Sequence, residues 1–212
     1  MIDGMKELQA VLGVPEEITF GLGWNEANHL LHVVGTWAKV CEALRKQKKE
    51  EVITLLPLLF RRLLIFANMV GVDLEEAVWH KYPGLCPSCL ASADCDCIRQ
   101  KKTFNGKETM DGFRANLELW PKTLDGWQDM FGRIYGKVNK LVWKEMVWYH
   151  FEEEVGEVSD AYNFQLGPER LRDELADAFA WLLSFCNRME INMARLIAAK
   201  YFRLSSYDLA AL

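Results

Sequence analysis

The chain has 212 residues, half of them apolar, with a formal net charge of −5 and a pI near 5.5. Such a chain can bury a substantial core as one domain or as two small fused halves. Its acidic balance excludes a general affinity for nucleic acid or for an anionic membrane, since neither polyanion is drawn to an acidic surface.

Met1-Ile2-Asp3-Gly4 shows no basic stretch running into an apolar one, so neither a secretory nor a transit signal is read there, and a cytoplasmic location is expected. Apolar spacing predicts helices over residues 3–12, 24–47, 50–70 and 73–81, then over 124–137, 141–163, 168–189 and 192–204. Gly and Pro punctuate these stretches, and no period-two alternation bounded by hairpin turns interrupts them. The expected class is therefore all-α. The most apolar window, 52–60, is too short to span a bilayer and runs into Arg61-Arg62, so it reads as a buried helix and no membrane partner is expected. The short basic clusters, Lys46, Lys48 and Lys49 and then Arg99, Lys101 and Lys102, read as solvated helix ends and linker.

The list of elements contains a four-helix pattern twice, and three matches in the same order support an internal repeat. Ile2 to Leu8 matches Leu124 to Met130 at an offset of 122; His29-Leu30 and Val34-Gly35 match His150-Phe151 and Val155-Gly156 at 121; Asn68, Lys81 and Tyr82 match Asn187, Lys200 and Tyr201 at 119. The organisation expected is a first half over 1–82, a cysteine-rich loop and linker over 83–121, and a second half over 122–212. Two such halves would make a pseudo-dimeric helical bundle within one chain, which can pair again as a homodimer.

The second half carries acids that the first lacks. Glu153, Glu154 and Glu157 precede Glu174 and Asp177, and the turn Leu166-Gly167-Pro168 lies between them. On helices, 154/157 and 174/177 are i,i+3 pairs that each present two carboxylates on one face. The apolar stripes Val147, Phe151, Val155, Val158, Tyr162 and Leu171, Leu175, Phe179, Leu182, Cys186 put these acids on the shoulders of buried faces, beside Trp181, while Glu152 and Asp173 turn away. Carboxylates gathered in a partly dry groove repel one another unless a hard cation such as Mg²⁺ neutralises them. At the offsets above, the first half offers His32, Val33, Thr36, Leu55 and Leu58 in their place.

The run Phe151-Glu152-Glu153-Glu154-Val155-Gly156-Glu157-Val158, followed by Glu174-Leu175-Ala176-Asp177, resembles the E-E-x-x-E…E-x-x-D signature of the MazG-like all-α nucleoside triphosphate pyrophosphohydrolases, relatives of the dimeric dUTPases. The resemblance covers residues 124–204 and, in degenerate form, 1–82. It implies two tandem MazG-like four-helix halves and hydrolysis of an NTP or dNTP to the monophosphate and pyrophosphate, dependent on Mg²⁺ or Mn²⁺. It further implies Glu154, Glu157, Glu174 and Asp177 as metal ligands, with Glu153 as a further ligand or the base that orients water. Lys200 is a candidate for holding phosphate, and the Asn and Arg that often follow late in such proteins are not evident. Phe20, Trp24, Trp37, Trp181, His29 and His32 are candidates for the base pocket, though aromatics at helical spacing also serve as core.

Cys86-Pro87-Ser88-Cys89 and Cys95-Asp96-Cys97 place four thiols in a Pro/Gly-bearing loop. Structural Zn²⁺, redox sensing or an iron–sulfur cluster, and free thiols all remain open readings of that spacing. Cys41 and Cys186 lie in helical stripes and read as small core residues. The alternative to an enzyme is a non-catalytic protein that binds a metal–nucleotide, with a zinc-stapled loop that docks a partner.

Overall fold

The structure, a computed structural model, describes residues 4–14, 25–97 and 107–202. The candidates Phe20 and Trp24 lie outside the described residues. Among the described residues there is no strand, and the chain is an all-α bundle as expected. The helices are α1 (Met5–Leu12), α2 (Glu26–Arg45), α3 (Lys49–Met69), α4 (Leu74–Lys81), α5 (Lys107–Ala115), α6 (Leu124–Leu141), α7 (Lys144–Asn163), α8 (Pro168–Arg188) and α9 (Met193–Tyr201), with a 3₁₀ turn at Leu117–Leu119.

Local chemistry sets most of the boundaries. Asn25, Thr123 and Asn192 accept backbone N–H bonds from Asn28, Gly126 and Arg195 and so cap α2, α6 and α9. Gly167, at φ +105, takes a backbone that a side chain would strain, and Pro168 then opens α8 with its ring already set for a helix. The break expected near residues 137–141 lies at Val142-Trp143 instead, because Val138 and Asn139 remain buried on α6. Helix α5 falls inside the stretch expected to be loop and linker; Met110 is its one buried residue, too sparse an apolar signal to show a helical period.

The chain divides into two compact units, Met1–Leu74 with Asn192–Leu212, and Glu75–Ile191. The first contains α1, α2, α3 and α9, and the second contains α4 to α8. The chain is thus partitioned differently from the halves expected at 1–82 and 122–212: α4 joins the later helices and α9 the earlier ones. Side chains explain the choice. Trp79 of α4 stacks on Trp120 at 5.2 Å and meets Trp127 edge-on at 6.3 Å, and Tyr82 meets Phe131 edge-on at 5.4 Å. In the first unit the Tyr201 hydroxyl donates to the Pro57 carbonyl at 3.3 Å, and the Arg61 guanidinium lies 5.8 Å from the Tyr201 ring centre.

Helix α3 forms the centre of the first unit, with Leu56, Leu59, Phe60, Leu64 and Phe66 fully buried. It alone among the described helices is long and apolar enough to cross a membrane. Helix α8 has the same place in the second unit, burying Leu175, Ala176, Phe179, Leu182, Leu183 and Phe185.

Both units carry the same polar latch. In the first, Gln9 Nε2 donates to Asn68 Oδ1 and to the Val72 carbonyl, both at 2.7 Å, and Asn68 Nδ2 donates back to the Gln9 carbonyl at 3.0 Å. In the second, Gln128 Nε2 donates to Asn187 Oδ1 at 3.0 Å and to the Ile191 carbonyl at 2.7 Å, and Asn187 Nδ2 donates to the Gln128 carbonyl at 2.8 Å. Each residue of one latch lies 119 positions from its counterpart. A spacing of 118 aligns the buried residues His29, Val33, Trp37, Val40 and Ala43 with Val147, Phe151, Val155, Val158 and Ala161. The offset of 121 instead sets exposed Val34 against buried Val155 and buried Ala43 against exposed Phe164, whereas the offset of 122 also sets buried Met5, Leu8 and Leu12 against buried Trp127, Met130 and Ile134. At the spacing of 118, Glu154 falls opposite Thr36 rather than Val33.

Candidate active site

Helices α7 and α8 lie against each other across the short turn that follows Asn163, with apolar stripes buried between them and acids on the adjoining shoulders. Carboxylate oxygens of Glu154, Glu174 and Asp177 all lie within 4.8 Å of one another. Of the five acids singled out in the sequence, these three converge. Glu157 Oε2 instead accepts from Arg170 at 2.8 Å, and Glu153 Oε2 pairs with His150 Nδ1 at 3.1 Å on the exposed side of α7.

The cluster is dry and crowded. Burial, reinforced by the charges of Asp177, Glu157 and Glu174, pushes the Glu154 carboxyl up to about 8. Burial likewise pushes Glu174 up to about 7 against the pull of Arg170. The Arg170 Nε lies against Glu174 Oε1 but is misaligned for a hydrogen bond, which leaves that oxygen, on a side chain 1% exposed, without a hydrogen-bond partner. Two cations of the chain compensate in part: Arg170, and Lys81, whose Nζ bonds Asp177 Oδ2. Tyr82 donates its hydroxyl to Asp177 Oδ1 at 2.5 Å. Burial, with the neighbouring Asp177 charge, pushes that phenol well above its usual range and keeps it a donor.

A hard divalent cation suits this donor set. Three convergent carboxylates supply the oxygen ligands that such ions take, and the buried Oε1 of Glu174, unsatisfied in hydrogen bonding despite its ion pair with Arg170, keeps a lone pair to offer.

Asp177 also opens onto a cavity of about 650 Å³ lined by Lys81, Tyr82, Tyr135, Asn139, His150 and Trp181, among others. That volume lies within the range of about 300–1,000 Å³ common for small-molecule sites. Its walls are mostly apolar, with Asn139 and Ser184 as buried polar groups. The His150 and Trp181 rings stack at 4.3 Å with 17° between their planes.

Cys86, Cys95 and Cys97, with Ser88 and Pro87, make a further wall of the same cavity. The sulfurs of Cys86, Cys89, Cys95 and Cys97 lie within 4.8 Å of one another, close enough for all four to hold one metal ion. Of the two remaining thiols, Cys186 is buried, as expected, whereas Cys41 is partly exposed.

Lys200, the expected phosphate lysine, donates to the Thr54 carbonyl at 3.0 Å in the first unit, and Trp37 is a core residue there. Sequence reasoning passed over Lys81, Tyr82, Arg170 and His150. Lys81-Tyr82 was visible only as the counterpart of Lys200-Tyr201, and nothing local places it on Asp177, 96 positions from Lys81. Comparison with family models, with curated proteins and with solved structures finds no match to this chain.

Proposed function

We propose that the protein hydrolyses a nucleoside triphosphate to the monophosphate and pyrophosphate with Mg²⁺ or Mn²⁺ at Glu154, Glu174 and Asp177, in the manner of the MazG-like enzymes that its acidic motif resembles. The observation that carries this reading is the convergence of those three carboxylates at the edge of a nucleotide-sized cavity. The bound cation supplies neutralisation of the triphosphate and polarisation of its phosphoryl oxygens. The chain's own residues do the rest. Tyr82 fixes the orientation of Asp177, and Lys81, which lines the cavity, adds a positive charge for phosphate. Glu153 holds His150 at the cavity wall, and the imidazole takes the proton of the attacking water, the role that the resemblance gives to Glu153. Water adds at the α-phosphorus, the bond to the bridging oxygen breaks, and pyrophosphate leaves; no covalent nucleophile is required. The base occupies the apolar space beside Trp181, with Asn139 and Ser184 as its polar contacts.

The recurrence of the latch at a spacing of 119 supports reading the chain as an internal repeat in which one copy keeps the acids. Incubation with each common NTP and dNTP plus Mg²⁺ tests the activity: pyrophosphate, not orthophosphate, is expected from at least one, and Asp177→Asn should lower its release by 100-fold or more, on the order found when transition-state charge stabilisation is removed. A metal–nucleotide binding protein without turnover is the second reading, favoured by the internal cations Lys81 and Arg170 that already sit on the acids. Saturable nucleotide binding with no pyrophosphate from any substrate would select it.

A further inference from the structure

We propose that Cys86, Cys89, Cys95 and Cys97 bind one zinc ion, and that this ion holds Lys81 and Tyr82 against Asp177, so that the acidic site depends on a second, remote metal.

The sulfur spacing makes the first part of the case. Cys86–Cys97 and Cys89–Cys95 are 3.6 Å apart and Cys86–Cys95 is 3.5 Å. Four sulfurs at about 2.3 Å from a tetrahedral zinc are about 3.8 Å from one another, whereas a disulfide brings two sulfurs to about 2.05 Å. The thiols therefore sit within a few tenths of an ångström of the tetrathiolate arrangement and far from bonded pairs. A cluster of several irons would spread its ligands wider than the common reach of a single ion seen here.

The loop is shaped for it. The backbone N–H groups of Ser88 and Cys89 and the Tyr135 hydroxyl lie near the Cys86 sulfur. Leu90 and Asp94 adopt positive φ, at 58° and 49°, a strained choice that a crosslinked loop can sustain. The Leu90 N–H donates to the Cys86 carbonyl at 2.8 Å, and the Cys86 N–H to Ala91 at 2.9 Å, which closes the knuckle. The second thiol pair is tied to α6 by the N–H groups of Asp94 and Cys95, which donate to Arg133 and Ile134 carbonyls at 2.9 and 2.8 Å. With so little apolar side chain to bury, a segment of this size needs a crosslink to hold one shape.

The second part follows from continuity. Only Pro83, Gly84 and Leu85 separate Tyr82 from Cys86, and Tyr82, Leu85 and Cys86 are all buried. An ion on Cys86 fixes the chain immediately after α4, and with it the two side chains that contact Asp177. Tyr135 links the two centres again: its hydroxyl lies near Cys86 and its ring meets Tyr82 at 6.4 Å. On binding, each thiol still protonated releases its proton to solvent. The zinc site stands apart from the hydrolase reading, while its coupling to Asp177 rests on the acids being a metal site.

Metal analysis of the full chain purified without chelator is expected to give about one zinc per chain. Cobalt exchanged into it is expected to show the intense visible absorption of tetrahedral thiolate coordination. A chain that takes up neither ion after reduction, or that retains one iron in place of zinc, overturns the zinc assignment. For the coupling, Mn²⁺ affinity at the acids is the readout. Zinc removal and, separately, Tyr82→Phe are each expected to weaken it about tenfold, the lower end of the range for groups that orient a ligand. Tyr82→Phe leaves all four thiols intact and should keep its zinc, so it decides the matter even if the zinc-free chain does not fold. Unchanged Mn²⁺ affinity in that variant overturns the coupling. A zinc-loaded protein that binds Mn²⁺ yet releases no pyrophosphate would sink the hydrolase reading alone.

Discussion

Glu154 and Glu174 hold their protons in the metal-free protein far beyond the pH at which an unfolded chain loses them. Their folded values, about 8 and about 7, stand above an ordinary value of 4.5. The sign follows: the stability that these groups contribute is complete below 4.5 and is lost as pH rises through 7 and 8. Mg²⁺ should offset that loss, because it binds the ionised form and favours the native state. Glu154→Gln, which keeps shape and removes one charge, should raise the metal-free Tm at pH 8 by roughly 2–4 °C, an effect on the order of 1 kcal/mol. The same variant should lose stabilisation by Mg²⁺; thermal melts with and without the ion read both effects. The acids were legible in sequence because i,i+3 spacing on an amphipathic helix is a local property. Which of the five would converge was not, since Glu157 is drawn off by Arg170 and Glu153 by His150 through side-chain geometry.

At the level of elements, the latch between α1 and α3 in the first unit and between α6 and α8 in the second ties a buried Gln amide to a carbonyl beyond the end of α3 or α8. Gly13 and Gly132 leave room for it: an added Cβ would lie 2.3 Å from Asn68 Nδ2 and 3.1 Å from Asn187 Nδ2. Gln9→Leu and Gln128→Leu should each cost about 1–3 kcal/mol, because each removes the donor from Asn68 or Asn187 Oδ1 and from the Val72 or Ile191 carbonyl. Chemical denaturation of the two variants checks this, and similar costs are expected from the matching bonds. Helices α2, α3, α7 and α8 could be read from apolar spacing within a few residues. Helix α5 could not, for its charged sequence buries one side chain. The clustering of the four thiols was suggested by their order along the chain, but their place on the cavity wall depends on α6, nearly forty residues from the loop (133 against 94).

Across the whole molecule, one unit carries a carboxylate cluster and the other has Thr36, Leu55 and Leu58 at spacings of 118 and 119 before Glu154, Glu174 and Asp177. Helical periodicity and the recurring residues suggested two similar sets of helices. They did not reveal that α4 is grouped with α6 to α8 or α9 with α1 to α3, because that choice is made by long-range contacts such as Trp79 with Trp120 and Tyr201 with Pro57. The same choice delivers Lys81 and Tyr82, and not Lys200, to the acids. The most direct test is a Mn²⁺ titration of the wild-type chain and of Glu174→Gln at pH 8.5, where the carboxyls are ionised. Saturable binding by the wild type, weakened at least tenfold by the substitution, is the expected result. A wild type that binds no Mn²⁺, or a variant that binds it equally well, would show that Glu154, Glu174 and Asp177 do not form a metal centre.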